Sequence, residues 1–309
     1  MSGFSTEWLA LREPFDHAAR AGTAIDPGFL AALKRRVAPG DALTVVDLGC
    51  GTGANLREIA PRLGGRQRWR LVDNDERLLA ALPQALAPWA AAQGLQVQTQ
   101  PRAAVLVLQR SDGLHIEVER CQADLATGLD AVPLAGAQLV TASALLDLVS
   151  APWLDALLLR CRDAGAAVWW PLNVDDRLVW TPGDADDALV HAHFQAHQQR
   201  DKGFGPALGG GAAMRAAAQL AGFGWKVIRA PGDWQIDGRR SAHDLAMLQA
   251  MVDGIATAAT EQTPALTETI AQWQARKRAQ AGHLQLRVGH AEVMGWPPER
   301  SQDGQPSAL

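Results

Sequence analysis

Residues 47–53 read Asp-Leu-Gly-Cys-Gly-Thr-Gly, between an apolar run at Leu43–Leu48 and a helical pattern at Asn55–Leu63. Three glycines at alternate positions between a strand and a helix leave few options for the fold. Glycine loses more backbone entropy on folding than any other residue, so a bare turn would not need three of them. They are retained where φ must be positive or where a ligand approaches the main chain closely. A helix N-terminus behind such a turn presents free amides to a ligand. Asp73 closes the next apolar run, Trp69–Val72, twenty positions after Gly53, where a carboxylate can accept bonds from ribose hydroxyls. Both features also suit a nicotinamide dinucleotide, because Gly49, Gly51 and Ala54 satisfy the looser G-x-G-x-x-A pattern. Asp47 weighs against that ligand. Its charge would repel a pyrophosphate, whereas it suits a cationic amino group.

The rest of the chain repeats the alternation. Asp75 opens a helix to about Trp89. The alternating runs Ala104–Leu108 and Leu114–Glu119, joined at Ser111-Asp-Gly113, predict a hairpin whose second arm continues toward Cys121 and Asp124. Further strands are expected at Ala137–Thr141, Ala166–Trp170, Trp225–Ile228 and Leu284–Val288. Helices are expected at Pro152–Gly165, Ala212–Leu220, Ala242–Thr260 and Pro264–Ala281. This spacing predicts an α/β fold with a doubly wound, mostly parallel, seven-stranded sheet. Residues 1–40 read as an N-terminal helical cap, with Pro14 expected to break or kink its first helix. Asp26-Pro27 reads as the cap of the second helix. Residues 41–296 form the main domain, with a polar helical insertion at 175–211, and 297–309 is a polar tail.

The stretch Asp47-Leu-Gly-Cys-Gly-Thr-Gly53 matches in full the D-x-G-x-G-x-G first motif of the class I S-adenosylmethionine-dependent methyltransferases, which the chain resembles from about Leu43 to Trp170. The resemblance implies a Rossmann-like sheet ending in an antiparallel hairpin, with S-adenosyl-L-methionine as cofactor. It also implies that Gly49, Gly51 and Gly53 underlie the methionine part with Asp47 nearby. Asp73 would take the ribose hydroxyls, Asp124 and Leu125 would border the adenine, and Ser143 would border the reactive methyl. One departure concerns the substrate. Branches that modify amides and bases carry Asn or Asp, then Pro-Pro and an aromatic, after the fourth strand. Here the sequence is Ser143-Ala-Leu-Leu-Asp147, which disfavours those acceptors.

Ligands of open α/β sheets sit beyond the carboxyl ends of the strands. The N-terminal helices and the 175–211 insertion are therefore expected to act as a lid. Trp8, Arg12, Asp16 and Arg20 recur at helical spacing, and Arg12 is the candidate substrate contact on that face. His197 and Lys202 are the candidate catalytic groups of the insertion, and Trp170 a candidate apolar wall. His193 and His197 are four apart, a spacing that can bind zinc, but nothing at an obvious spacing completes a site, so no metal is expected. Cys50 reads as a small packed residue rather than a nucleophile.

Composition sets the outer bounds. A net charge of -4 over 309 residues removes the general electrostatic case for nucleic-acid binding, and Arg276-Lys-Arg278 is only a short basic cluster. No apolar run approaches a membrane span and no secretory signal is recognisable, while Cys50, Cys121 and Cys161 are odd in number and far apart. A cytoplasmic enzyme is expected, transferring a methyl group to O or N of a small polar molecule. The alternatives are an NAD-dependent oxidoreductase using the same turn, or a non-catalytic cofactor-binding scaffold module.

Overall fold

The computed structural model describes residues 5–100 and 105–299. The expected helix start at Phe4, Ala104 at the head of the hairpin, and the tail beyond 299 lie outside the described residues.

Helix α1 (Thr6–Ala21) starts at Ser5, whose hydroxyl accepts the Trp8 N–H at 3.2 Å, and α2 (Pro27–Arg35) starts at the Asp26 cap. Helix α1 runs unbroken through Pro14, where the sequence predicts a break. Proline removes one backbone hydrogen bond, and side-chain contacts around it offset the loss. Phe15 is buried, and Arg12 bridges to Asp16 at 3.0 Å across the proline.

The sheet begins with β1 (Leu43–Leu48), followed by α3 (Ala54–Leu63), β2 (Arg66–Asp73) and α4 (Glu76–Ala92). A meander follows, of β3 (Gln96–Gln100), β4 (Val105–Gln109) and β5 (His115–Gln122). Then come β6 (Leu139–Thr141), α5 (Ala151–Ala164), β7 (Ala167–Thr181), α6 (Asp187–Gln198), α7 (Ala212–Gly222), β8 (Lys226–Pro231) and β9 (Trp234–Asp237). Helices α8 (Ala242–Gln262) and α9 (Thr267–Ala279) and strand β10 (Gln285–Trp296) complete the chain.

The strand order is β3-β4-β5-β2-β1-β6-β7-β10-β8, with β9 paired to β10. The run β5-β2-β1-β6-β7 is parallel and doubly wound, so the order reverses at β1. Strand β10 lies antiparallel between β7 and β8. The sheet has ten strands rather than seven: β5-β2-β1-β6-β7-β10-β8 is the expected set, and β3, β4 and β9 extend it. The sequence gives little sign of β3, whose Gln-rich run Gln96-Val-Gln-Thr-Gln100 carries one apolar residue.

Alternation along β7 puts Trp169 and Trp170 into separate cores. Trp170 packs in the cluster of Leu154, Leu158 and Ala216, whereas Trp169 packs with Phe29, Leu56 and Trp296. A third cluster joins Trp180, Val190, Trp234, Leu248, Trp273 and Leu286 to Phe15 of α1. It forms because β7 does not end near Trp170 but continues to Thr181 against β10. The segment read as a helical insertion at 175–211 therefore opens as strand. Among the described residues no helix is long and apolar enough to cross a membrane.

Candidate cofactor site

All three alternate glycines leave the β1–α3 turn in the left-handed region, with φ of 63° at Gly49, 52° at Gly51 and 81° at Gly53. That is the backbone reason for the pattern, since a side chain is strained at each position. The Cys50 N–H donates to the Val72 carbonyl at 3.0 Å, tying the turn to β2. Asp73 fastens it further. Its Oδ2 accepts the Gly51 N–H at 2.9 Å and its Oδ1 accepts the Asp75 N–H at 3.0 Å. An ionised carboxylate has about four acceptor positions, so two bonds leave capacity for a diol.

Asp47 is 1% exposed, at the carboxyl end of β1. Its Oδ1 accepts from Asn55 Nδ2 at 2.8 Å, while Oδ2 has no partner. Burial pushes its carboxyl up to about 7, with the Asn55 hydrogen bond and the Arg20 charge pulling down and Asp73 adding to the rise. Asn55 Nδ2 also donates to Thr141 Oγ1 at 2.9 Å, and its Oδ1 accepts from Arg20 Nη1 at 3.0 Å. A carboxylate only accepts and a guanidinium only donates, so the amide has one consistent orientation. Asn55 thus links β1, β6 and α1. Sequence reasoning missed it, although an Asn in the first turn of a helix is a signal, because its side chain competes with helical backbone bonds.

A cavity of about 440 Å³ opens beside this hub. Helix α1 supplies Glu13, Asp16, His17 and Arg20 to its wall, α3 supplies Ala54, Asn55 and Arg57, and Ser143 after β6 and Leu172 within β7 also line it. Asp47 and Asp73 are not among the residues that line this cavity. Helix α1 also lies over the turn itself, where a Cβ on Gly51 would stand 3.3 Å from Leu9 Cδ1. Among the described residues three non-glycine residues have positive φ, Ala144 at 52° after β6 and, within β7, Leu172 at 59° and Asp176 at 65°. The Ala144 N–H donates to the carbonyl of Pro171, the residue before Leu172, at 3.1 Å. Such strain clusters at functional sites and is held by the surrounding structure.

The remaining candidates are dispersed. Asp124 caps a short helical turn through Ala126 N–H at 2.9 Å, with Leu125 buried beneath it. Arg12 bonds Asp16 and stacks 5.1 Å from the Trp234 ring centroid, so it faces the third cluster rather than the cavity. Trp170 is wholly buried in the core and offers no wall. His197 bonds Glu261 at 3.0 Å and Lys202 bonds the His197 carbonyl at 3.4 Å, neither of them on the cavity wall. The cause lies in α6, which packs into the third cluster through Val190 and Phe194 and directs its histidines to Trp180, Thr263 and Glu261. Among the described residues no three metal-ligating side chains converge.

No family model and no curated protein matches the chain. Solved structures resemble it remotely. An O-methyltransferase family protein from Burkholderia thailandensis is 16% identical over 72% of this chain at a TM-score of 0.42, and the match spans 54% of that longer protein. A cyclopropane-fatty-acyl-phospholipid synthase-like protein from Lactobacillus casei is 13% identical over 94% of both chains at 0.44. A SAM-dependent methyltransferase from Geobacter sulfurreducens, in complex with S-adenosyl-L-homocysteine, is 12% identical over 92% of this chain and 98% of the other at 0.37. The strand order is independent of these likenesses. With a glycine turn leaving β1, a parallel run that reverses there, and β10 antiparallel between β7 and β8, the chain has the class I methyltransferase fold.

Proposed function

We propose that the chain is an S-adenosylmethionine-dependent methyltransferase that transfers the methyl group to an oxygen or nitrogen of a small polar molecule. The observation that carries this reading is the unpartnered Oδ2 of buried Asp47 behind the positive-φ glycine turn. A buried acceptor there calls for a cation, which the α-amino group of the cofactor supplies and a dinucleotide pyrophosphate does not. Gly49, Gly51 and Gly53 let the methionine part approach the backbone. Asp73 offers its remaining lone pairs to the ribose, Asp124 and Leu125 border the base, and Ser143 borders the transferred group. When bound, the sulfonium compound supplies an electrophilic methyl group. The chain supplies alignment and the exclusion of water, the latter through α1 over the turn. A base is needed only where the acceptor must first lose a proton. The polar side chains of Glu13, Asp16 and His17 on the cavity wall favour a polar acceptor.

Calorimetry with S-adenosylhomocysteine and with NAD tests the reading. The homocysteine compound is expected to bind stoichiometrically and NAD to give no heat. Binding of NAD with no response to the homocysteine compound refutes it.

A further inference from the structure

The cavity wall carries three arginines, and two are neutralised within the protein. Arg57 is held at both ends of its fork by Glu13, at 2.6 and 2.7 Å, and Arg62 pairs with Glu58. Arg20 differs. It is 4% exposed, and its one hydrogen bond runs from Nη1 to the neutral amide of Asn55. Its Nε and Nη2 have no partner. Those two groups form one edge of the guanidinium, the edge that grips a carboxylate through two parallel bonds. Nearby acids do not fill it: Glu58 is taken by Arg62 and His17, and Asp16 by Arg12 and Trp234. Glu292, itself buried, acts on Arg20 through its charge and makes no hydrogen bond to it. Leaving a charged fork edge buried without an acceptor is costly, so its retention points to a ligand.

The position of Arg20 says which ligand. Asn55 bonds Asp47 with one end of its amide and Arg20 with the other. An acceptor lacking a cation and a donor edge lacking an anion therefore lie one side-chain amide apart. Paired sites of opposite charge at that separation suit a zwitterion, the amino-acid end of a ligand. We propose that Arg20 holds the carboxylate of the cofactor's amino-acid end, while Asp47 faces its ammonium group. This rests on the methyltransferase reading and extends it, because it makes the covering helix α1 part of the cofactor site. The guanidinium sits over Trp169, 5.8 Å from the ring centroid, which fixes its plane.

The test compares S-adenosylhomocysteine with its decarboxylated analogue, which keeps the nucleoside and the amine. Wild-type protein is expected to bind the complete compound at least tenfold more tightly. At pH 8.5, where Asp47 is ionised without help from the Arg20 charge, Arg20→Gln should abolish that preference and leave the analogue bound, with Arg20→Lys intermediate. Equal binding of the two compounds by wild-type protein overturns the proposal without any variant. So does an Arg20→Gln protein that keeps the preference, as it would if Arg20 served a carboxylate on the acceptor instead. Retained binding of the analogue reports that a variant is folded, and Arg20→Lys serves if the glutamine variant is not. If wild-type protein binds neither compound, the methyltransferase reading fails together with the proposal.

Discussion

The buried carboxyl of Asp47 makes cofactor binding depend on pH in a calculable way. With its carboxyl near 7 in the free protein, Asp47 is mostly protonated at pH 6 and mostly ionised at pH 7.5. The ionised share rises from roughly a tenth to about three quarters between those values. If the ammonium of S-adenosylhomocysteine binds only the ionised form, affinity rises about eightfold over that interval, or ~1.2 kcal/mol. Titration in buffers of different ionisation enthalpy should show a proton released at pH 6 and far less at pH 7.5. Arg20 on α1, Asp73 on β2 and Asn55 on α3 face the same carboxyl, and His17 lies on the cavity wall. The Asp47→Asn variant separates these sources, since it should lose the slope as well as ~1.5–3 kcal/mol of affinity at pH 7.5. The effect on stability has the opposite sign. A carboxyl raised in the folded state supports folding fully below its unfolded value near 3.8, and that support is lost as pH rises through about 7. Asp47→Asn should therefore raise the thermal midpoint at pH 8 while it weakens the ligand. A flat wild-type affinity between pH 6 and 7.5, or an unchanged slope in the variant, refutes the assignment.

Replacing Asp73 with Ala should weaken S-adenosylhomocysteine by ~1.5–3 kcal/mol, the range for hydrogen bonds to a charged group, and free the Gly51 amide; unchanged affinity in calorimetry would make it a turn fastener alone. Purified protein should hold no stoichiometric zinc and keep full turnover in a chelator, because His193 and His197 are committed to Thr263 and Glu261; elemental analysis near one zinc per chain would reverse this.

The sheet was legible because its signals are local. Strand-turn-helix periodicity and the alternate glycines each act within a few residues, and right-handed crossovers decide which face of the sheet each connecting helix covers. The acids Asp47 and Asp73 were legible for the same reason, each being tied to a strand end. What was not legible depended on distant packing. Pro14 reads as a break until Trp234, 220 residues on, is seen donating to Asp16 at 3.0 Å. Trp170 reads as a pocket wall until the length of β7 places it under α7. His197 and Lys202 have the chemistry of a catalytic pair, but α6 turns them toward α8. Asn55 and Arg20 show the converse, being ordinary letters made central by a contact across 35 positions.

Helix α1 is held from two sides, and this dual attachment separates covering the site from binding within it. On one side Glu13 and Arg20 engage α3, and Leu9 rests over Gly51. On the other, Phe15 is buried beside Trp234, with ring centroids 6.3 Å apart, and stacks on His243 at 5.6 Å, while His243 Nε2 bonds the Leu11 carbonyl at 2.8 Å. Phe15 does not line the cavity beside Ser143. On the proposed function, a methionine part approaching Gly51 meets Leu9 of α1, so the hold of the third cluster on α1 is expected to limit entry and exit. Truncating a buried Phe to Ala costs ~3–5 kcal/mol where the side chain is fully packed. In Phe15→Ala that loss should fall first on the docking of α1, an element attached at its flanks rather than threaded through the sheet. Stopped-flow measurement should then show faster association and faster release of S-adenosylhomocysteine, with hydrogen exchange raised across residues 6–21 and little changed in β1 and β6. A variant that lost stability evenly across the sheet, with unaltered binding rates, would show that α1 belongs to the core and does not gate the site.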